Sequence, residues 1–172
     1  GAAVEWHQDW AFYPHTNDAV LEVGIALEDL CEDNGPLLVI PGSHLGSEYD
    51  HHVEGTFCGA IGASEVTDLV QKSVALTGPA GSVTIHHART IHGSAMNRSD
   101  RSRPLLLIGY AAADAWPLMG VSDFDTFNDY LVCGDECLTP RLQEVPVRMP
   151  LPSATFQGSI YENQRTLSER AF

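Results

Sequence analysis

Residues 34–43 read Asn-Gly-Pro-Leu-Leu-Val-Ile-Pro-Gly-Ser, an apolar run enclosed by turn residues. Asn34-Gly35 and Pro41-Gly42 predict turns, because Gly and Asn accept a positive φ and Pro holds φ at about −65°. The apolar residues between them, 37–40, predict a short β-strand.

The same pattern extends along the chain in both directions. Further apolar or alternating runs are separated by turn residues such as Gly78-Pro79 and Ala80-Gly81. They predict strands over residues 20–27, 73–76, 82–86 and 104–111. Many short strands joined by tight turns are typical of a mainly β fold, either a sandwich or a barrel.

The long connection over residues 44–72 is rich in Gly, His and acidic residues. It holds one helix-like patch in which Val66, Leu69 and Val70 share a face. Long loops on β scaffolds often carry specificity, so this segment is a candidate for substrate contacts.

The pattern loosens after the last predicted strand. Residues 123–130 predict a short helix, and residues 140–152 predict an extended segment. Residues 158–172 are polar, so we expect a mobile tail there. The expected organisation is a single domain over residues 1–172.

Composition limits the classes of partner. The 172 residues are 44% hydrophobic, which is enough for one packed core. The formal charge of −14 repels nucleic acid and anionic lipid surfaces. We expect no membrane span and a cytoplasmic location, because neither a long apolar run nor a signal-peptide pattern is visible. Oligomeric state cannot be read from the sequence.

The four scattered cysteines are expected to be free thiols: Cys31, Cys58, Cys133 and Cys137.

A metal site is indicated near the start of the chain. His7 and Asp9 are two residues apart, so on an extended strand both side chains would leave the same face. Gln8 would then point the other way. A His-x-Asp pair is common by chance, so the prediction needs a third ligand from elsewhere.

Three histidines at and beyond the end of the strand predicted over residues 82–86 offer that ligand. They are His86, His87 and His92. Two histidines and one carboxylate form the facial triad of non-haem iron sites, in which three positions stay open for a bidentate co-substrate and dioxygen. We prefer His92, because Gly93-Ser94 follow it and a basic stretch comes soon after. The other two are expected to be strand-end or supporting groups.

The basic stretch ends in Arg103, at the start of the strand predicted over residues 104–111. A guanidinium on such a strand can bind a carboxylate through two parallel hydrogen bonds, which a lysine cannot do. Arg98 and Arg101 fall in the preceding turn and are better explained as solvated loop charges.

Three blocks in this sequence resemble the phytanoyl-CoA dioxygenase family. They are His7-Gln8-Asp9, residues 34–44, and residues 91–103, in family order and at family-like spacing. The similarity covers about residues 4–117, and three ordered motifs are far more specific than one.

The resemblance implies a double-stranded β-helix, a cupin-like jelly roll with a few short helices. It also implies an iron(II)- and 2-oxoglutarate-dependent dioxygenase that hydroxylates a small molecule, with His7, Asp9 and His92 as catalytic metal ligands. The far carboxylate of the co-substrate 2-oxoglutarate would meet Arg103, assisted by Ser94. Dioxygen is the oxidant.

Substrate contacts are less defined. Trp10, Tyr13 and His44 are candidates for the substrate wall, although plain packing explains each of them equally well. Family members usually have a substantial N-terminal region before the His-x-Asp motif, so we expect this catalytic domain to lack it.

Two other classes of protein remain open. A cupin-like metal-binding protein, such as a zinc or manganese isomerase, would keep the three ligands but has no need for Arg103. A non-catalytic family fragment would retain only the fold.

Overall fold

A computed structural model describes all 172 residues and contains nine strands and three short α-helices. The elements, in chain order, are β1 (Val4–His7), β2 (Val20–Ala26), β3 (Leu37–Val39), β4 (His52–Val53), β5 (Thr56–Phe57), α1 (Ala63–Val70), β6 (Val74–Leu76), β7 (Val83–His87), β8 (His92–Ser94), β9 (Leu105–Ala111), α2 (Phe124–Asn128) and α3 (Ile160–Asn163). Each strand predicted from turn punctuation is present, with its ends shifted by no more than one residue. No helix combines the length and the apolar character that crossing a membrane requires.

Two antiparallel sheets carry the fold. One has the strand order β1-β8-β3-β6 and the other has the order β7-β2-β9, while β4 and β5 form a separate hairpin. The chain passes back and forth between the two sheets, since β1, β3 and β8 lie in the first and β2, β7 and β9 in the second. This alternation is the double-stranded β-helix that the family resemblance implied, and the mainly β fold class is confirmed.

The turn at Asn34-Gly35 shows why the strand pattern was readable. Gly35 has φ 73°, in the left-handed region, and a Cβ there would lie 2.5 Å from the carbonyl oxygen of Ala95. Glycine is therefore required at this position, both for its backbone conformation and for the close approach of the chain.

The strand β2 presents two different faces. Side chains alternate along it, so Leu21, Val23 and Ile25 lie on one face while Glu22 lies on the other. Glu22 is the direct register partner of His86 on β7. The face with Glu22 and His86 is the one turned toward the cavity described below.

Helix α1 covers the outer face of the first sheet. Val66 is fully buried, and Leu69 and Val70 pack against the same core cluster, as the predicted shared face requires. The cluster consists of Trp6, Ile40, Ile61, Val66 and Ile91. The apolar periodicity therefore located both the helix and its buried face.

The C-terminal segment, for which polarity predicted a mobile tail, makes specific contacts with the rest of the domain. Gln164 is buried, its Nε2 donates to the carbonyl of Gly59 at 3.0 Å, and its Oε1 accepts from the backbone N–H of Glu5 at 3.1 Å. Phe172 stacks on Trp6 with ring centroids 5.3 Å apart. Gln164 therefore bonds to the backbone of β1 and to the backbone just after β5, and the mobility of this segment stays a prediction.

Three further predictions concern the helix near residue 123, residues 140–152 and the cysteines. Helix α2 lies within the predicted range 123–130, and the Asp123 carboxylate caps it by accepting from the N–H of Thr126 at 2.7 Å. Residues 140–152 form neither helix nor strand. All four cysteines are free thiols, as expected.

Candidate metal centre

The strand that carries His7 ends two residues too early for the predicted geometry of the His-x-Asp pair. β1 stops at His7, Gln8 is extended, and Asp9 begins a 3₁₀ turn over Asp9–Ala11. The expectation that His7 and Asp9 share an extended strand is therefore wrong. The turn nevertheless brings Asp9 Oδ1 to 3.6 Å from His7 Nε2, while the side chain of Gln8 turns away to bond with backbone atoms.

The third side chain arrives through strand pairing. His92 on β8 is the register partner of His7 on β1, and their ring centroids are 4.1 Å apart. His92 Nε2 lies 3.4 Å from Asp9 Oδ2. One ligand atom from each of the three residues lies within 4.8 Å of the other two, so this group could hold a metal ion.

Hydrogen bonds to the backbone orient both imidazoles. His7 Nδ1 faces the carbonyl of Glu5 at 2.8 Å, and His92 Nδ1 faces the carbonyl of Thr90 at 2.9 Å. A carbonyl only accepts hydrogen bonds, so each Nδ1 carries the proton and each Nε2 is directed at Asp9. This is the outer hydrogen bond that metal-ligating histidines usually make.

The charge states also suit a cation. Burial lowers the pKa of His92 to about 3, so its imidazole is neutral at physiological pH and can offer a lone pair. Burial alone would raise the pKa of Asp9, but the neighbouring His92, His7 and His86 outweigh it and hold that pKa well below its usual range. Two histidines and one carboxylate match the ligand set of a facial triad.

The other two histidines of the predicted group take different positions. His86 Nε2 lies 3.4 Å from Asp9 Oδ2, beside the three converging residues. His87, on the opposite face of β7, lies 3.9 Å from Asp18 Oδ2 and against the ring of His44. The structure therefore brings His92 to the His-x-Asp pair and leaves His87 outside the group.

A cavity of about 730 Å³ opens beside the three converging side chains. Both sheets line it, since its wall includes β1, β3 and β8 from one sheet and β2, β7 and β9 from the other. Its apolar wall includes Leu37, Leu105 and Leu107. The cavity is thus a space between the sheets in which a small molecule could reach the group of His7, Asp9 and His92.

Arg103 and Ser94 both line this cavity. Ser94 is buried in β8, where it pairs in register with Val4 and Leu37. Arg103 is partly buried and makes no ion pair with any acidic residue of the chain, although most other arginines do. A buried hydroxyl and an unpaired guanidinium on one cavity wall are suited to bind an anion.

The three proposed substrate-wall residues separate in the structure. Tyr13 lines the cavity, but Trp10 and His44 do not. Trp10 is fully buried in a core cluster with Val20, and its indole N–H donates to the carbonyl of Pro146. His44 lies in a 3₁₀ turn beside His87. For these two residues packing is the better account, because the 3₁₀ turn after Gln8 directs Trp10 into the core.

Sequence reasoning missed Glu22, which also lines the cavity. The Tyr13 hydroxyl donates to Glu22 Oε1 at 2.7 Å, and burial raises the pKa of Glu22. A signal was available, because Glu22 is a lone acidic residue between the apolar Leu21 and Val23 on a predicted strand. The C-terminal segment also contributes to the wall, through residues such as Ile160, and no local pattern pointed to that contact.

Comparison with known proteins places this geometry in context. The family model for phytanoyl-CoA dioxygenase (PhyH) matches residues 1–105. A protein of Stutzerimonas stutzeri named probable alpha-ketoglutarate-dependent hypophosphite dioxygenase is 48% identical over the whole of this chain. The chain spans 62% of the length of that relative.

Solved structures of related proteins also resemble this chain. The carbocyclase SnoK from nogalamycin biosynthesis, described as non-haem and alpha-ketoglutarate dependent, matches 79% of this chain with a TM-score of 0.59 and 31% identity. The iron-bound EctD from S. alaskensis matches 66% of the chain with a TM-score of 0.54 and 27% identity. This chain covers 54% and 40% of those two chains, respectively.

Proposed function

Because the chain belongs to the phytanoyl-CoA dioxygenase family, we propose that it is the catalytic part of an iron(II)- and 2-oxoglutarate-dependent dioxygenase acting on a small molecule. The observation that carries the proposal is the convergence of His7, Asp9 and His92 at one edge of a cavity between the two sheets.

In this proposal, His7, Asp9 and His92 hold iron(II) through two imidazole Nε2 atoms and one carboxylate. The donor set fits the metal, because both histidines offer an oriented Nε2 and three protein ligands leave adjacent positions for other molecules. When bound, iron(II) with dioxygen and 2-oxoglutarate supplies the oxidation of the substrate, and the co-substrate leaves as succinate and carbon dioxide.

The co-substrate binds along the wall that holds Ser94 and Arg103. The Arg103 guanidinium pairs with the carboxylate farthest from the metal, and the Ser94 hydroxyl donates a further hydrogen bond. Support comes from their shared place in the cavity and from the lack of an acidic partner for Arg103. In a protein with a formal charge of −14, such an unpaired cation is the feature that can draw an anion into the cavity.

The rest of the cavity orients the substrate and excludes water. Leu37, Leu105 and Leu107 supply apolar wall, which lowers the local dielectric and strengthens the contacts of charged groups. Tyr13 stands on the same wall with its hydroxyl committed to Glu22. We place Tyr13 at the substrate side of the cavity.

The finer proposal concerns the substrate. The relative that matches the whole chain is named for hypophosphite, a small anion whose oxidation converts a P–H bond into P–OH and gives phosphite. We propose hypophosphite as the first substrate to test, with small organic metabolites as the broader class.

One experiment tests both levels. Anaerobic addition of iron(II) and 2-oxoglutarate should produce a weak visible charge-transfer band. Exposure to dioxygen with hypophosphite should then release succinate and phosphite in equal amounts. Phosphorus NMR measures the phosphite. A folded, metal-loaded protein without the band would instead be a cupin-like metal-binding protein. A normal band with no phosphite would reject hypophosphite only, and succinate release with a metabolite panel would identify the substrate.

A further inference from the structure

We propose that His86 is a positioning residue of the metal centre, which donates a hydrogen bond from Nε2 to Asp9 Oδ2 and leaves Oδ1 as the atom offered to the metal. This inference rests on the proposed function, because it concerns the same metal site. His86 lies outside the three blocks that carry the family resemblance.

The contact is built from two elements. His86 is the penultimate residue of β7, and its side chain is only 8% exposed. Its Nε2 lies 3.4 Å from Asp9 Oδ2, at the long end of the hydrogen-bonding range. Its ring lies 4.5 Å from that of His92. His86 therefore packs against the triad from the second sheet, whereas His7 and His92 both come from the first.

Geometry identifies His86 as the donor. His7 and His92 each use Nδ1 to donate to a backbone carbonyl. His86 has no hydrogen-bond partner at Nδ1, which is buried. Its partner at Nε2 is a carboxylate oxygen of Asp9, which only accepts. The contact therefore requires His86 to donate from Nε2.

The consequence concerns how Asp9 binds a metal. A carboxylate can offer one oxygen or both, and a hydrogen bond to one oxygen favours binding through the other. With Oδ2 held by His86, Asp9 contributes a single donor atom. Three adjacent positions are then kept for the co-substrate and dioxygen, as the proposed reaction requires.

His86 is less suited to be a fourth ligand. A ligating histidine almost always donates its second ring N–H to an acceptor, and His7 and His92 both do so. His86 Nδ1 has no acceptor within reach. Direct ligation by His86 is therefore the alternative that the experiment must exclude.

The test compares variants at neighbouring positions. His86→Leu removes the donor and keeps much of the volume, whereas His86→Gln can place an amide N–H where Nε2 was. His87→Leu is the matched control, because His87 is the next residue on the opposite face of β7 and contacts Asp18. Iron(II) affinity is measured anaerobically by chelator competition. The number of imidazoles bound to Cu(II) is counted by pulsed EPR.

We expect His86→Leu to weaken iron(II) binding by roughly 10- to 100-fold, as loss of an outer hydrogen bond usually does. His86→Gln should recover most of that affinity, His87→Leu should retain it, and all three variants should bind Cu(II) through two imidazoles. If His86→Leu does not fold, His86→Asn replaces it, since its shorter amide cannot reach Asp9.

Three results would overturn the inference. Unchanged affinity in His86→Leu would show that the hydrogen bond is unimportant, while a Gln variant as weak as the Leu variant would exclude donation as the cause. Three imidazoles in the wild type and two in His86→Leu would make His86 a ligand. A wild-type protein that binds neither iron(II) nor 2-oxoglutarate would overturn the proposed function as well, so the two failures are distinguishable.

Discussion

His7 and His92 are direct register partners in the antiparallel pair of β1 and β8, and both direct Nε2 toward Asp9. Strand pairing therefore sets the distance between the two imidazoles before any metal binds. The third group, Asp9, is supplied by the turn that ends β1. A site assembled in this way is preorganised, because its geometry depends on backbone hydrogen bonds and not on flexible side chains.

His92→Ala should abolish retention of iron(II), because it removes one of the three donors and leaves a two-ligand site. The fold should persist, since the β1–β8 backbone pairing does not require the imidazole. Bound iron after gel filtration, with circular dichroism as the check on folding, measures this. His87→Ala is the control and should retain iron. If His87→Ala loses iron while His92→Ala keeps it, the assignment of the third ligand is wrong.

Arg103→Ala should weaken 2-oxoglutarate binding by roughly 10- to 100-fold, because hydrogen bonds to a charged group contribute about 1.5–3 kcal/mol. Iron(II) affinity should change little, since no proposed metal ligand is removed. Titration of the visible band with 2-oxoglutarate gives the affinity. The 2-oxoglutarate affinity of Arg103→Lys should fall between those of the wild type and Arg103→Ala, because an ammonium keeps the charge but cannot bind a carboxylate through a planar fork.

Arg101→Ala is the matched control for that measurement. Arg101 is about half exposed and pairs with Asp33 at 2.8 Å, outside the cavity wall. An exposed pair of this kind contributes little. Equal loss of 2-oxoglutarate affinity in both variants would point to a general charge effect, and loss of iron together with 2-oxoglutarate in Arg103→Ala would make that arginine structural.

The sequence predicted best where the controlling interactions are local. Turn residues such as Asn34-Gly35 determine where the chain bends, so the strand over 37–40 could be placed from neighbouring residues alone. The family motifs then predicted His7 and His92 as ligands of one metal. Asp9 was misplaced on an extended strand because nothing in its immediate sequence shows that β1 ends at His7.

The parts that sequence reasoning missed depend on contacts between distant residues. Gln164 is buried because it meets the backbone of Glu5 and Gly59, which lie far from it in the sequence. Trp10, a candidate for the substrate wall, packs in a core cluster, and Glu22 faces the cavity through the side-chain alternation of β2. These outcomes depend on which faces of the two sheets meet, which short apolar runs do not specify.

Stability should depend on pH through His51. Its Nδ1 donates to the carbonyl of Tyr49, its Nε2 accepts from the N–H of Gln8, and burial lowers its pKa to about 3. In the unfolded chain the pKa is about 6.5, so protons bind the unfolded state first as pH falls. The stabilisation from a neutral, buried His51 is therefore complete above about pH 6.5 and is lost progressively toward the folded pKa.

The comparison of wild type with His51→Gln isolates this effect. Urea unfolding between pH 7.5 and 5.5 should show the variant less stable at the upper end, with the difference shrinking by up to about 1.4 kcal/mol per pH unit below 6.5. Glu48 acts in the opposite direction, since burial raises its pKa to about 7, but it is present in both proteins and cancels. A difference that stays constant across the range would contradict the assignment.

The C-terminal segment should stabilise the domain through Gln164. Replacing Gln164 with Ala removes both of its hydrogen bonds to the backbone and leaves the buried N–H of Glu5 without an acceptor. An unsatisfied buried donor costs about 1–3 kcal/mol, so the midpoint of urea unfolding should fall accordingly. Gln71→Ala, at an exposed position after α1, should change the free energy of unfolding by less than about 0.5 kcal/mol.

Because the C-terminal segment also lines the cavity, Gln164→Ala should increase proteolysis within residues 158–172 and weaken substrate binding more than iron binding. Unchanged stability and unchanged proteolysis would mean that the segment is a mobile tail after all.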